Sequence, residues 1–154
     1  MKTVFYDESN FLIEGTSLLC GRSDRSMTEK RKKRAKILVV DDERAVASTL
    51  AILLESQGYE TATAYSGEEA LQVALSFTPD FLLSDIDMGG MNGIDAAMEI
   101  LRWLPRCEVL FISGHAACHE FLGHAREHGF DFEVLAKPVP PPELLEKIAQ
   151  VLHA

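Results

Sequence analysis

The sequence contains little cysteine, no long apolar run and, beyond its first 36 residues, little positive charge. Its three cysteines, Cys20, Cys107 and Cys118, lack the spacing of a metal site, which favours free thiols in a reducing compartment. No apolar stretch approaches the ~20 residues of a membrane-spanning helix, and the N-terminus lacks the features of a signal peptide. We therefore expect a cytoplasmic protein that does not enter a membrane.

Charge divides the chain into two parts. Residues 1–36 hold nine lysines and arginines against five acidic residues, whereas residues 37–154 hold six against nineteen. A body this acidic should not bind nucleic acid through its own surface. The basic run at residues 30–34 could touch nucleic acid or an acidic membrane, but five cations bind weakly and are sensitive to salt. We interpret residues 1–35 as a flexible arm and residues 36–154 as one folded domain.

From Lys36 onward, short apolar runs alternate with segments of helical periodicity. Five strands are predicted, at residues 37–40, 59–64, 80–85, 109–112 and 133–136. Five helices are predicted between and after them, at residues 43–57, 66–78, 94–104, 116–128 and 143–152. Strands that alternate with helices of about three turns imply right-handed crossovers and a parallel sheet covered on both faces. The predicted fold is α/β, a flavodoxin-like, doubly wound (βα)5 unit with a five-stranded parallel sheet.

Polar side chains stand where these strands end. Asp41 and Asp42 follow the first strand, Asp85 ends the third, Ser113 follows the fourth, and Lys137 follows the fifth. The carboxyl ends of parallel strands meet at one edge, where open α/β sheets bind ligands. Carboxylates packed together repel without a cation, and oxygen donors without histidine or cysteine suit Mg²⁺ better than Zn²⁺. With Lys137 and the Ser113 hydroxyl, such a pocket can hold a phosphoryl group beside Asp85.

These motifs resemble the response regulator receiver domain of two-component signalling, over residues 36–153. Four segments carry the resemblance in the family's order: Val39-Val40-Asp41-Asp42-Glu43, Asp85-Ile86-Asp87-Met88, Ser113-Gly114 and Lys137-Pro138. The resemblance implies that Asp85 accepts phosphate as an aspartyl phosphate. The donor would be a sensor histidine kinase, a phosphotransfer protein or a small phosphodonor.

The resemblance also implies a ligand set for Mg²⁺. Asp42 would bind the ion directly and Asp41 largely through water. Asp85 and the backbone carbonyl of Asp87 would supply further oxygen ligands. The ion would neutralise charge that develops during phosphoryl transfer.

Further roles follow from the same resemblance. Ser113 would bond a phosphoryl oxygen once Asp85 is modified, Lys137 would pair with the phosphoryl group, and Pro138 would follow a cis peptide bond. The position of the family's switch aromatic is ambiguous. Counting back from Lys137 gives Val134, and counting forward from Ser113 gives Phe132, because the intervening segment is about two residues longer than usual.

The loop after Asp85 departs from the family pattern. Gly89 occupies the position where proline is usual, although Asn92-Gly93 at the end of the loop fits. We expect Gly89 and Gly90 to loosen this loop, because glycine loses the most backbone entropy on ordering.

The function implied is phosphorelay signalling by a phospho-accepting domain that is not an enzyme. Only sixteen residues follow Pro138, enough for a last helix, so we expect output to pass through a downstream protein partner, with a homodimer as a further option. The side chains expected to contact that partner are Phe121, Phe130 and Phe132. One alternative is a degenerate receiver that acts by binding alone.

A second alternative is a phosphatase that resembles the haloacid dehalogenases. In those enzymes a nucleophilic aspartate is followed two residues later by an acid, as Asp85 is by Asp87. Their pair follows the first strand, however, and here it follows the third.

The histidines suggest a different metal site. His115 and His119 are four residues apart, and so are His124 and His128. On one helix the two pairs point to opposite faces and cannot share an ion. We therefore predict histidines that face solvent, without a zinc site.

Overall fold

A computed structural model of the protein describes residues 33–114 and 119–153. The predicted N-terminal arm, apart from residues 33–35, lies outside these ranges, as do Cys20, His115 and Cys118. The predicted domain boundary after residue 35 therefore stays a prediction.

Five strands form one parallel sheet in the order β2-β1-β3-β4-β5. The strands are β1 Lys36–Val40, β2 Glu60–Ala64, β3 Phe81–Asp85, β4 Glu108–Ser113 and β5 Glu133–Ala136. The described helices are α1 Arg44–Ser56, α2 Gly67–Phe77, α3 Gly93–Trp103, α4 His119–Glu127 and α5 Pro141–Leu152. The predicted doubly wound α/β fold is confirmed, and chain order reverses beside β1, where the site was expected.

Two apolar layers explain why helices cover both faces of the sheet. One layer joins Leu38 and Leu82 of the strands to the buried sides of α2, α3 and α4. The other joins Ile37 and Leu83 to α1 and α5. Because neighbouring residues of a strand point to opposite faces, continuous apolar runs can fill both layers.

Local capping sets several helix ends. The Ser66 hydroxyl accepts the Glu69 backbone N–H at 3.0 Å, and the Asn92 side chain accepts the Asp95 N–H at 2.9 Å. Helix α5 begins at Pro141, two residues earlier than predicted, because proline fits the first turn of a helix. The predicted start of α4 at residue 116 lies outside the described residues.

Within the described part of the chain, no helix has the length and apolar character needed to cross a membrane.

Candidate functional site

Three carboxylates come together at the carboxyl edge of the sheet. Asp41 and Asp42 lie directly after β1, and Asp85 is the last residue of the neighbouring strand β3. One oxygen from each of the three lies within 4.8 Å of the others, which is close enough for a single ion. The strand ends have therefore brought together the oxygens that the sequence placed on two separate strands.

Lys137 joins this cluster from the end of β5. Its Nζ lies 3.3 Å from Asp41 Oδ2 and 3.2 Å from Asp85 Oδ2. The side chains are 31% exposed for Lys137, 4% for Asp41 and 12% for Asp85, so water screens these charges only partly. A single lysine thus pairs with two largely buried carboxylates.

Burial and pairing shift the pKa values of this cluster in defined directions. Burial raises the pKa of Asp41, and the Glu43 N–H and the charge of Lys137 oppose that rise only partly. Burial alone would lower the pKa of Lys137, but its contacts with Asp85 and Asp41 together raise it. Lys137 therefore stays protonated as a fixed cation beside the site.

Backbone groups orient both carboxylates toward the lysine. Asp41 Oδ1 accepts the Glu43 N–H at 2.9 Å, and Asp85 Oδ1 accepts the Ile86 N–H at 2.7 Å. In each residue one oxygen binds the backbone and the other faces Lys137. This arrangement fixes the rotamers of the two carboxylates before any ligand binds.

Strands β4 and β5 bring Ser113 and Lys137 to the same edge. Ser113 ends β4, is 5% exposed and pairs in register with Ala136. Its carbonyl accepts the Lys137 N–H at 2.9 Å. The Lys137–Pro138 peptide bond is cis, as the resemblance implies.

Residues 86–92, here named the acceptor loop, connect β3 to α3. The Gly93 N–H donates to the Ile86 carbonyl at 2.8 Å, and a Cβ at Gly93 would lie 2.0 Å from the Asp85 carbonyl oxygen. Only glycine fits there, because a methyl group would overlap the backbone of Asp85. Inside the loop, the Met88 side chain is buried and Gly90 has a φ of +82°. Asp87 is exposed at the surface.

The structure separates the two candidates for the switch position. Val134 lies on β5 directly beside Phe111 of β4. Phe132 precedes the strand, packs edge-on against Phe111 with ring centroids 5.2 Å apart, and stacks on Phe130 at 5.6 Å. The strand position thus holds valine, and the aromatic ring reaches the same neighbour from the preceding loop.

Sequence reasoning missed the role of Glu68. That reasoning placed Glu68 inside the helix predicted at residues 66–78 without assigning it a contact, whereas its Oε2 accepts the Met91 N–H of the acceptor loop at 3.1 Å. The contact spans 23 residues and joins the first turn of α2 to the acceptor loop. No local pattern signals it, because it depends on how α2 packs beside α3.

The histidines were predicted to face solvent, and those of the described part of α4 do so. His124 and His128 are exposed, with ring centroids 4.5 Å apart. The only grouping of three or more metal-ligating side chains within residues 33–114 and 119–153 is the carboxylate cluster of Asp41, Asp42 and Asp85.

Comparisons with known proteins agree with this geometry. The family model described as the response regulator receiver domain matches residues 37–149. A transcriptional regulatory protein of Escherichia coli K12, GlrR, is 32% identical over 121 residues, which is 79% of this chain and 27% of GlrR. A response regulator receiver protein of Anaeromyxobacter is 38% identical over 109 residues, which is 71% of this chain and 45% of that protein.

A solved structure supports the same relationship. The CheY-like receiver domain protein of Methanospirillum hungatei matches with a TM-score of 0.71 and 28% identity, covering 79% of this chain and 95% of its own. The chain spans 27% of GlrR and 45% of the Anaeromyxobacter protein, so it corresponds to less than half of either relative.

Proposed function

The chain belongs to the response regulator receiver domain family of two-component phosphorelay signalling, and we propose that it is a switch phosphorylated on Asp85. The observation that carries the proposal is the pairing of Lys137 Nζ with Asp85 Oδ2 at 3.2 Å, beside two further carboxylates. A buried carboxylate with a fixed cation at one oxygen is poised to accept an anionic group. The cation offsets the charge of that group as it approaches.

The chemistry is the transfer of a phosphoryl group from a donor to the Asp85 carboxylate. The phosphorus–nitrogen bond of a phosphohistidine on a sensor kinase or phosphotransfer protein breaks, and a phosphorus–oxygen bond to Asp85 forms. With acetyl phosphate as the small donor, acetate leaves instead. Lys137 pairs with the phosphoryl oxygens, and the Ser113 hydroxyl donates to one of them.

The donor set fits Mg²⁺. Among the described residues, three carboxylate oxygens lie within 4.8 Å of one another and no histidine or cysteine joins them, which matches the preference of this hard cation. Asp41, Asp42, Asp85 and the Asp87 carbonyl would hold the ion, which supplies charge neutralisation at the transferring group. Burial raises the pKa of Asp41, so a bound cation would also stabilise its ionised form.

The partners follow from the family. A histidine kinase or phosphotransfer protein would supply the phosphoryl group, and a downstream protein or a second copy of the chain would respond to it. Relatives such as GlrR are named as transcriptional regulators and are longer than this chain. We place the protein in the cytoplasm, with its acidic body making no direct contact with nucleic acid or membrane.

Phosphorylation can be tested by intact-protein mass spectrometry. The protein is incubated with acetyl phosphate and Mg²⁺, in parallel with Asp85→Asn and with Asp42→Asn. We expect a gain of about 80 Da in the wild type, the mass added by one phosphoryl group in the transfer above. The gain should be absent from Asp85→Asn and strongly reduced in Asp42→Asn or in EDTA.

Other outcomes point to other functions. A lack of any adduct, together with no binding of beryllofluoride, would contradict the switch and favour a receiver that acts by binding alone. Continuous release of phosphate from a generic phosphomonoester, lost in Asp85→Asn, would instead indicate a phosphatase.

A further inference from the structure

The acceptor loop has two consecutive glycines between two fixed points. Met88 is 5% exposed and anchors the first half of the loop in the core. Asn92, the last residue of the loop, caps the N-terminus of α3. Gly89 and Gly90 have no side chain with which to anchor the chain between these points. A contact from outside the loop must therefore define its path.

Helix α2 supplies that contact through Glu68. Its Oε2 accepts the Met91 N–H at 3.1 Å, and a Cβ on Gly90 would lie 3.0 Å from the same oxygen. The first residue of α2 is equally close to the loop, because a Cβ on Gly67 would lie 2.7 Å from the Met91 carbonyl oxygen. The loop thus lies directly against the first turn of α2.

The first turn of α2 is held in place independently of this contact. The Ser66 hydroxyl accepts the Glu69 N–H at 3.0 Å, and Glu69 Oε1 accepts the Tyr65 N–H at 2.8 Å. The two adjacent glutamates therefore accept hydrogen bonds from different segments. Glu69 caps its own helix, and Glu68 reaches across to the acceptor loop.

We propose that Glu68 is a positioning residue for the cation pocket, because its hydrogen bond to Met91 holds the glycine-rich chain that leaves Met88 and so limits rotation of the adjoining Asp87–Met88 peptide, which carries the Asp87 carbonyl. The inference rests on the proposed function, in which that carbonyl is a ligand. A rigid loop presents the oxygen already aimed at the ion, whereas a loose loop must lose backbone entropy when the ion binds.

The test is an NMR titration of the full chain with Mg²⁺, combined with amide hydrogen exchange in the absence of metal. The variants are Glu68→Ala, Glu68→Gln and the helix-cap control Glu69→Ala. We expect Glu68→Ala to speed exchange at Met91 and to weaken Mg²⁺ binding about fivefold, the size that one exposed hydrogen bond supports. Glu68→Gln retains an acceptor oxygen and should stay within about twofold of the wild type.

Four outcomes would overturn the proposal. Unchanged Mg²⁺ affinity in Glu68→Ala, despite faster exchange at Met91, would make the contact purely structural. Equal weakening in Glu68→Gln would assign the effect to charge, and equal weakening in Glu69→Ala would assign it to the stability of α2. A wild type that fails to bind Mg²⁺ would overturn the proposed function itself, and this inference with it.

Discussion

The amino and carboxyl edges of the sheet differ in how far their charged groups are exposed to water. At the amino edge, the Lys36 N–H donates to Asp80 Oδ2 at 2.8 Å, and the Lys36 ammonium contacts the Phe77 carbonyl and ring. Asp80 is exposed, so water shares its charge. At the carboxyl edge, Asp41 is almost fully buried, and it shares one lysine with Asp85.

A thiol at the amino edge sharpens the contrast. Burial, with smaller contributions from Asp80 and Glu108, raises the pKa of Cys107 to about 12, so the group stays neutral and acts as a small apolar side chain. At the carboxyl edge the buried groups are carboxylates and an ammonium. At the amino edge, the charged groups are at least partly exposed and the buried group is neutral, so their electrostatic cost to folding is small. The carboxyl edge keeps buried charges that stability alone does not require.

The largest effect on stability should come from filling the space at Gly93. A methyl group there would overlap the Asp85 carbonyl oxygen, so Gly93→Ala should lower the free energy of unfolding by about 3 kcal/mol. Urea denaturation followed by circular dichroism measures the change. Gly89→Ala is the matched control, because no atom of the described, non-neighbouring residues lies within 4 Å of its added Cβ and its φ is not in the left-handed region, so it should change stability by less than ~1 kcal/mol. Equal losses in both variants would contradict the tight packing of the loop under Asp85.

An intermediate effect should come from removing the shared lysine. Lys137→Met leaves two buried carboxylates without their cation and should cost about 2 kcal/mol at pH 7 in metal-free buffer. The loss should shrink as the pH falls and Asp41, whose pKa burial raises, becomes protonated. Lys36→Met at the amino edge breaks only partly exposed contacts and should cost less than ~1 kcal/mol. Similar losses at both edges would remove the distinction between them.

The smallest effect should be a gain in stability from Asp41→Asn. Because burial raises the pKa of Asp41, the folded protein binds this proton more tightly than the unfolded chain does. The carboxyl group therefore favours folding below its usual pKa of 3.8, and that contribution is lost as the pH rises through the folded value. At pH 7 without metal, Asp41→Asn should raise the melting temperature by about 3 °C, and the gain should vanish near pH 3. A lower melting temperature at pH 7 would mean that pairing with Lys137 outweighs the cost of burial.

Much of this architecture could be predicted because its signals are local. Apolar runs such as residues 37–40 and 109–112 can be recognised without knowing their neighbours, and so can the cap at Ser66. The convergence of Asp41, Asp85 and Lys137 needed one general rule about strand ends in parallel sheets. To apply that rule, only the order of strands and helices along the chain had to be known.

Other features depended on contacts between distant segments. Val134 and Phe132 were both candidates for one position, because a longer loop before β5 made counting along the chain ambiguous. The register of β5 places Val134 beside Phe111, while Phe132 reaches the same ring from the loop. The hydrogen bond from Met91 to Glu68 was hidden for the same reason, since it spans 23 residues.

The sequence by itself determined the order of strands and helices, the fold class and the identity of the acidic and basic groups at the strand ends. These features follow from periodicity and residue type, which act over a few residues. Only the tertiary structure decided how deeply Asp41 is buried, which oxygens face Lys137 and what holds the acceptor loop. Burial and hydrogen-bond geometry depend on every segment that packs around a group, so they are properties of the folded chain as a whole.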